Sequence, residues 1–250
     1  MPAFLDRFRS RTRPARVPEN TRVYAVGDVH GRSDLLARLH RRIADDLDGY
    51  AGRGVLIHLG DYIDRGPDSQ GVVDMLLGPM PGGAETVNLK GNHEDFLLRF
   101  VDDDEDDPST WLYNGGLNCL ESYGIDMADP SDSTLRERLL AALPPAHLEF
   151  FRRLVPWHRE GDYFFAHAGV DPKQPLDAQT EQSLLWIRDR FLASHRDFGA
   201  TVVHGHSIAP EPQVMRNRIG IDTGAYYSGR LTCLVLESAE RRFIDTADTA

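Results

Sequence analysis

Residues Arg22–Leu47 read RVYAVGDVHGRSDLLARLHRRIADDL. The run Arg22–Val26 has strand composition, breaks at Gly27-Asp28, and gives way to leucines at helical spacing, with Ser33 or Asp34 as candidate N-cap. The same sentence is then repeated. GVLIHL (Gly54–Leu59) is followed by DSQGVVDMLLG (Asp68–Gly78), with Asp68 or Ser69 as its cap, and then by ETVNL (Glu85–Leu89). Strand, helix, strand, helix, strand predicts parallel pairing with right-handed crossovers, and so an α/β fold.

Outward from that beginning, YFFAH (Tyr163–His167), TVVH (Thr201–His204), RIGI (Arg218–Ile221), LTCLVLE (Leu231–Glu237) and RRFI (Arg241–Ile244) read as further strands. The span from Glu94 to Pro156 has no convincing strand. Its helical stretches, among them EDFLLRFV, STLRERLLAAL and AHLEFFRRL, predict a helical insertion or cap at about 94–160. The last strands follow one another quickly and predict a meander from Arg218 to Ile244, giving two sheets in all. At 250 residues and 41% hydrophobic content the chain suits one soluble domain, taken as 19–250.

Residues 1–18 are expected to form a flexible basic arm carrying Arg7, Arg9, Arg11, Arg13 and Arg16, without the apolar core of a secretory signal. No apolar run approaches the ~20 residues that span a bilayer, so no membrane partner is expected. The formal net charge of −11 argues against binding a nucleic-acid polymer. Cys119 and Cys233 form no C-x-x-C pair, which excludes a disulfide framework and fits a cytoplasmic location. The acidic run Asp102–Asp107 reads as a solvated loop or as a local cation site.

Chemistry collects where the strands stop. GDVHG follows the first, GDYIDRGPDS the second, GNHE the third, HAGVDP the fourth and HGHS the fifth. Loops at the carboxyl ends of strands converge on ligands in α/β sheets. Asp28, His30, Asp61, Asn92, His167 and His206 then offer imidazoles, carboxylates and one amide oxygen, a sulfur-free set suited to borderline or hard divalent ions. Six donors exceed what one open tetrahedral site needs and suit two metals. His204 competes with His206 in HGHS, and Arg190 with Arg188 in LLWIRDRF. His58 lies inside a strand pattern and reads as a core histidine. Glu94 and Asp95 read as first-turn helix carboxylates.

In order and composition these motifs resemble those of the calcineurin-like metallophosphoesterases. GDVHG, GDYIDRGPDS and GNHE are similar to the phosphoprotein phosphatase branch, of the bacterial serine/threonine protein phosphatase type. The resemblance runs from Val23 to about Leu236. It implies a two-sheet β-sandwich flanked by helices, with two divalent ions, manganese first and iron or zinc next. By the resemblance Asp28 and His30 hold one ion, Asn92, His167 and His206 the other, and Asp61 bridges both. It also implies that His93 protonates the leaving group with Asp64 orienting it, and that Arg65 and Arg188 bind the substrate phosphate.

The implied reaction is hydrolysis of phosphoserine and phosphothreonine in proteins by direct attack of a metal-bridging hydroxide, with phosphorylated proteins or peptides as partners. The stretch DTGAYYSGRLTCL (Asp222–Leu234) also resembles the symmetrical diadenosine tetraphosphatases, which makes a dinucleoside polyphosphate or another nucleotide the alternative substrate; a catalytically silent binding module is the remote one. Tyr226 and Tyr227 either line the substrate groove or pack in the core. WLYNGG (Trp111–Gly116) resembles a segment beside the active site, and otherwise reads as a helix C-terminus with a glycine stop.

Overall fold

The computed structural model describes residues 14–102, 108–126 and 134–247. Arg7, Arg9, Arg11 and Arg13 of the basic arm and residues 103–107 of the acidic run lie outside them. In chain order come β1 (Thr21–Val26), α1 (Ser33–Leu47), β2 (Arg53–His58), α2 (Ser69–Leu77) and β3 (Glu85–Asn88). Asp68 caps α2 by accepting from Gly71 N at 2.9 Å. Ser33 does not cap α1; its hydroxyl donates instead to the Asp68 carboxylate, which ties the two helix starts together.

Next are α3 (Asn92–Val101), α4 (Ser109–Trp111), a π turn (Leu112–Gly116), α5 (Leu117–Ser122), α6 (Leu135–Ala142) and α7 (Pro145–Arg153). The chain then runs through β4 (Trp157–Glu160), β5 (Tyr163–Ala166), α8 (Glu181–Trp186), α9 (Asp189–Leu192), β6 (Thr201–His204) and β7 (Gln213–Val214). It finishes with β8 (Arg218–Gly220), α10 (Ala225–Ser228), β9 (Thr232–Glu237) and β10 (Glu240–Asp245).

The strands form two five-stranded mixed sheets, in the orders β10-β9-β1-β2-β3 and β4-β5-β6-β8-β7. Period-two alternation sorts the side chains. Val23, Ala25, Val55, Ile57, Phe165, Val203 and Ile219 face the layer between the sheets. Tyr24, Val26 and Leu56 turn outward to α1, α2 and the insertion helices, while Phe164, Ala166 and Val202 pack against α8 and α9. Buried on both faces, these strands are the near-continuous apolar runs seen in the sequence.

The predicted terminal meander is corrected. β8 pairs with β6 and β7 in the second sheet, and only β9 and β10 pair with each other, beside β1. An apolar run declares a strand but not its partner: Ile219 and Leu234 bury into the same intersheet layer from opposite sides. The sequence also hid β4 and β7, edge strands of polar or exposed residues. Arg16, read as part of the arm, is held in place. Its amide donates to Asp162 Oδ2 at 3.1 Å and its guanidinium to Ser238 Oγ at 2.8 Å, beside the buried Val17.

His58 is a core histidine. Its Nδ1 donates to Asn88 Oδ1 at 2.9 Å, so its Nε2 accepts from His40 Nε2 at 3.1 Å, and both rings are neutral. Burial pushes His40 down to about 4, and burial together with His40 pushes His58 down to about 3. The unfolded chain binds protons below ~6.5 and the native pair does not, so their contribution is complete above that pH and is lost as pH falls toward 4. Denaturant titrations should show each imidazole costing about 1.4 kcal/mol of stability per pH unit in this window. The double variant His40→Leu/His58→Asn should be the less pH-dependent protein; equal slopes would contradict neutral rings.

Candidate dimetal site

β1, β2 and β3 are mutually parallel, as are β5, β6 and β8, so their carboxyl ends deliver loops to one edge of each sheet. The first two loops are laced by main-chain bonds: Val29 N and His30 N donate to Asp61 O at 3.1 and 2.9 Å, and Gly31 N to Tyr62 O at 2.8 Å. Among the described residues, seven non-glycine positions have positive φ, and five are His30, Asp61, Asp64, Arg65 and His206. Such conformations cost roughly 1–3 kcal/mol each and persist only where the surroundings over-determine them. Side chains approach closely enough to require glycine opposite them. A Cβ on Gly91 would overlap the Asp61 carboxylate, and one on Gly205 would overlap Asp28 Oδ1.

Asp61 stands at the centre. It belongs to two clusters of donor atoms lying within 4.8 Å of one another, one with His30 and His93, the other with His167 and His206. Its Oδ2 is 3.5 Å from His30 Nε2 and its Oδ1 3.4 Å from His167 Nε2. Main-chain carbonyls select the tautomers: His30 Nδ1 donates to Ile63 O and His167 Nδ1 to Leu59 O, each at 2.9 Å. Both Nε2 atoms are thereby left unprotonated beside Asp61, and that of His30 accepts from Arg65 Nη1. His167 Nε2 also lies 2.9 Å from Asn92 Oδ1 and 3.2 Å from His206 Nδ1.

Lone pairs crowded in this way repel unless a cation lies among them. Asp28 points into the same region, its Oδ2 accepting from His206 N at 2.9 Å. Asp28 Oδ1 and His206 Nε2 are buried without a hydrogen-bond partner, which costs several kcal/mol if left so. The donor set therefore fits two divalent ions. Burial pushes His30 and His167 below the imidazole range and His206 down to about 2, keeping all three neutral. Burial alone would raise Asp61, but the surrounding imidazoles, His167 first, hold it below the carboxylate range.

His93 lies in the first cluster by distance yet differs in chemistry. Its Nδ1 meets Asp64 Oδ2 at 2.6 Å, and its Nε2 is 3.8 Å from Asp61 Oδ2. Burial pushes its pKa down, but Asp61 and Asp64 together raise it above the imidazole value. With Nδ1 taken by Asp64, only Nε2 is left, and it lies farther from Asp61 than the Nε2 atoms of His30 and His167 at 3.5 and 3.4 Å. Asp64 is fully buried; Trp111 Nε1 donates to its Oδ2 at 3.0 Å, and its own amide donates to Ser69 Oγ at 3.0 Å. The Trp111–Gly116 stretch is a π turn that continues into α5, not the glycine-stopped helix end of the simpler reading. It also holds Arg65, whose N donates to Gly115 O at 3.1 Å while Nη1 donates to His30 Nε2 at 2.9 Å.

Arg188 and Arg190 separate cleanly. Arg190 is bonded to Asp171 Oδ2 at 2.6 Å, whereas Arg188 is exposed and close enough for its charge to push down both His167 and His206. His204 turns from the cluster, its Nδ1 donating to Gly205 O at 3.0 Å and its ring edge-on to Phe191. Cys119 and Cys233 are buried free thiols.

Two carboxylates escaped the sequence reading. Glu94 does sit in the first turn of α3, but it is fully buried and faces inward. Its Oε2 accepts from Asp61 N and Gly91 N at 2.9 and 3.0 Å, its Oε1 from Tyr62 N and Ile63 N at 2.8 and 3.3 Å. Burial pushes a carboxyl up, yet four donors occupy its four lone-pair directions, and we read it as ionised. Glu94→Gln places an NH2 against two of these amides and should cost about 2–5 kcal/mol in chemical denaturation; a loss below about 1 kcal/mol would refute the clamp. Asp222, the other, follows β8. It is buried beside Asp28, accepts from Gly224 N at 2.9 Å, and is pushed up by burial to about 6. The strand-end rule that found the other motifs, applied to RIGI, would have found it.

A sequence model described as "Calcineurin-like phosphoesterase" matches residues 21–231. Serine/threonine-protein phosphatase 2 of Escherichia coli is 32% identical over 219 residues, covering 84% of this chain and 90% of that one. An asymmetrical bis(5'-nucleosyl)-tetraphosphatase of Oceanobacillus iheyensis is 25% identical over 244 residues, covering 89% and 90%. A crystal structure provisionally described as a diadenosine tetraphosphatase shares the fold with a TM-score of 0.64 at 24% identity, covering 94% of this chain and 100% of that chain.

Proposed function

The chain belongs to the calcineurin-like phosphoesterase family, and from that premise we propose that it is a two-metal phosphomonoesterase acting on phosphoserine and phosphothreonine in proteins. The observation that carries the reading is Asp61, shared by two donor clusters while His93, paired with Asp64, stands beside it. Asp28 and His30 would hold one ion, Asn92, His167 and His206 the other, and Asp61 both. When bound, two such ions acidify water and neutralise the phosphoryl oxygens. Manganese is the proposed ion, with iron or zinc next, since the nitrogen and oxygen donors accept several metals.

The remaining work belongs to side chains. Asp64 accepts from His93 Nδ1 and stabilises the imidazolium, which leaves the Nε2 proton for the departing ester oxygen. Trp111 holds Asp64 in place. Arg65, anchored by the π turn, and Arg188, whose exposed guanidinium has no hydrogen-bond partner among the described residues, would take phosphate oxygens through planar guanidinium donors. Arg188→Ala should lower kcat/KM roughly 10- to 150-fold, the value of a charge-assisted bond. Arg190→Ala should change it less than about threefold, because that guanidinium is spent on Asp171. Steady-state kinetics on one phosphopeptide checks both.

A dinucleoside tetraphosphatase is the second reading, favoured by the relatives of that name. Those are named as asymmetrical enzymes, whereas the Asp222–Leu234 stretch suggests the symmetrical kind. The test is a panel of phosphopeptides and dinucleoside polyphosphates assayed with manganese, zinc, iron or magnesium restored. Rapid dinucleotide cleavage without phosphopeptide turnover would overturn the protein-phosphatase reading.

A further inference from the structure

Tyr226 packs on Arg65, and two exposed tyrosines lie on segments that flank it. Tyr113 is 92% exposed, although its neighbours Asn114 and Gly115 hold Arg65 through their carbonyls. On the other flank the Tyr226 ring centroid is 5.1 Å from Arg65 Cζ, and its ring meets His30 edge-on at 5.6 Å. Tyr227, 62% exposed, stands edge-on to Tyr226 at 5.1 Å. A continuous aromatic wall thus runs from the phosphate-facing residues out to solvent.

The turn that carries this wall is fixed. Ser228 Oγ donates to Thr223 O at 2.8 Å, Thr223 Oγ1 to Arg230 O at 2.7 Å, and Arg32 Nη1 to Ala225 O at 3.1 Å. Gly224, at φ +68, is packed under the Tyr227 ring, which a Cβ there would overlap. An exposed ring on an anchored turn loses little entropy when a second ring stacks on it.

We propose that Tyr226 and Tyr227, with Tyr113 on the insertion side of Arg65, form a subsite that stacks a planar aromatic group carried by the phosphate ester. Of two phosphate esters of equal charge, the one that carries a ring near the phosphate then binds the more tightly, a peptide with an aromatic residue beside its phosphoserine or phosphothreonine included. The inference rests on the phosphoesterase reading, so its test uses binding as well as turnover. Calorimetry on the metal-loaded protein would compare phenylphosphonate, adenosine 5'-monophosphate and methylphosphonate.

Tyr227→Ala should weaken one or both ring-bearing ligands about 5- to 150-fold, the usual worth of a stacked ring, and leave methylphosphonate unchanged, while Tyr227→Phe retains the preference. The ring of phenylphosphonate, attached directly to phosphorus, should depend most on Tyr226, tested as Tyr226→Leu. A nucleobase one sugar away should depend most on Tyr227 and Tyr113. Equal affinity for phenylphosphonate, the nucleotide and methylphosphonate, or equal loss in Tyr227→Ala, overturns the subsite. Ring-dependent binding with no turnover of any phosphate ester overturns the phosphoesterase reading alone.

Discussion

Asp61→Asn is expected to reduce turnover of every phosphomonoester at least ~10³-fold and to lower the number of divalent ions bound from two to at most one. The size follows from what a bridging carboxylate does in a two-metal site: it contributes several kcal/mol of charge balance, and each 1.36 kcal/mol is tenfold in rate. Asparagine keeps the shape and the acceptor for His93 N, now at 3.1 Å, so loss of fold does not explain loss of activity. Calorimetric metal titration and turnover are both needed. A variant that still binds two ions and hydrolyses at the parent rate rules out bridging by Asp61.

His93→Asn should cost ~10²–10⁴-fold on an alkyl ester such as phosphoserine, the usual contribution of a placed proton donor. It should cost much less on 4-nitrophenyl phosphate, whose leaving oxygen needs little protonation. Asp64→Asn removes the charge that faces His93 Nδ1 but keeps an oxygen acceptor, so it should show the same leaving-group dependence more weakly. Equal loss on both substrates, measured as kcat/KM, would assign His93 to something other than proton transfer.

The motifs were legible because each is local. A strand, a glycine and a polar side chain lie within a few residues of one another, and apolar runs locate the strand ends that bring Asp28, Asp61, Asn92, His167 and His206 to one edge. The helical character of the span after Asn92 was legible for the same reason. Glu94 was not. Its spacing is that of an ordinary first-turn carboxylate, and only the folded β2–α2 loop supplies the Asp61, Tyr62 and Ile63 amides that draw it inward. The support given by Trp111 was hidden likewise, being a contact across distant segments.

Sequence alone carried the α/β class, the strands with apolar runs and the donor atoms available for metal, and its motifs carried the family resemblance. Hydrophobic period and the residues beside each break carry that information locally. Only the packed fold decided that β8 leaves β9 for the second sheet, that the Arg190 guanidinium and not that of Arg188 is paired with Asp171, and that Glu94 clamps the β2–α2 loop besides accepting from the N-cap amide of α3. It also decided which nitrogen of His30 and His167 faces Asp61. Pairing, tautomer and side-chain direction depend on which distant carbonyl, amide or carboxylate arrives within hydrogen-bond reach, and that is settled only when the two sheets pack.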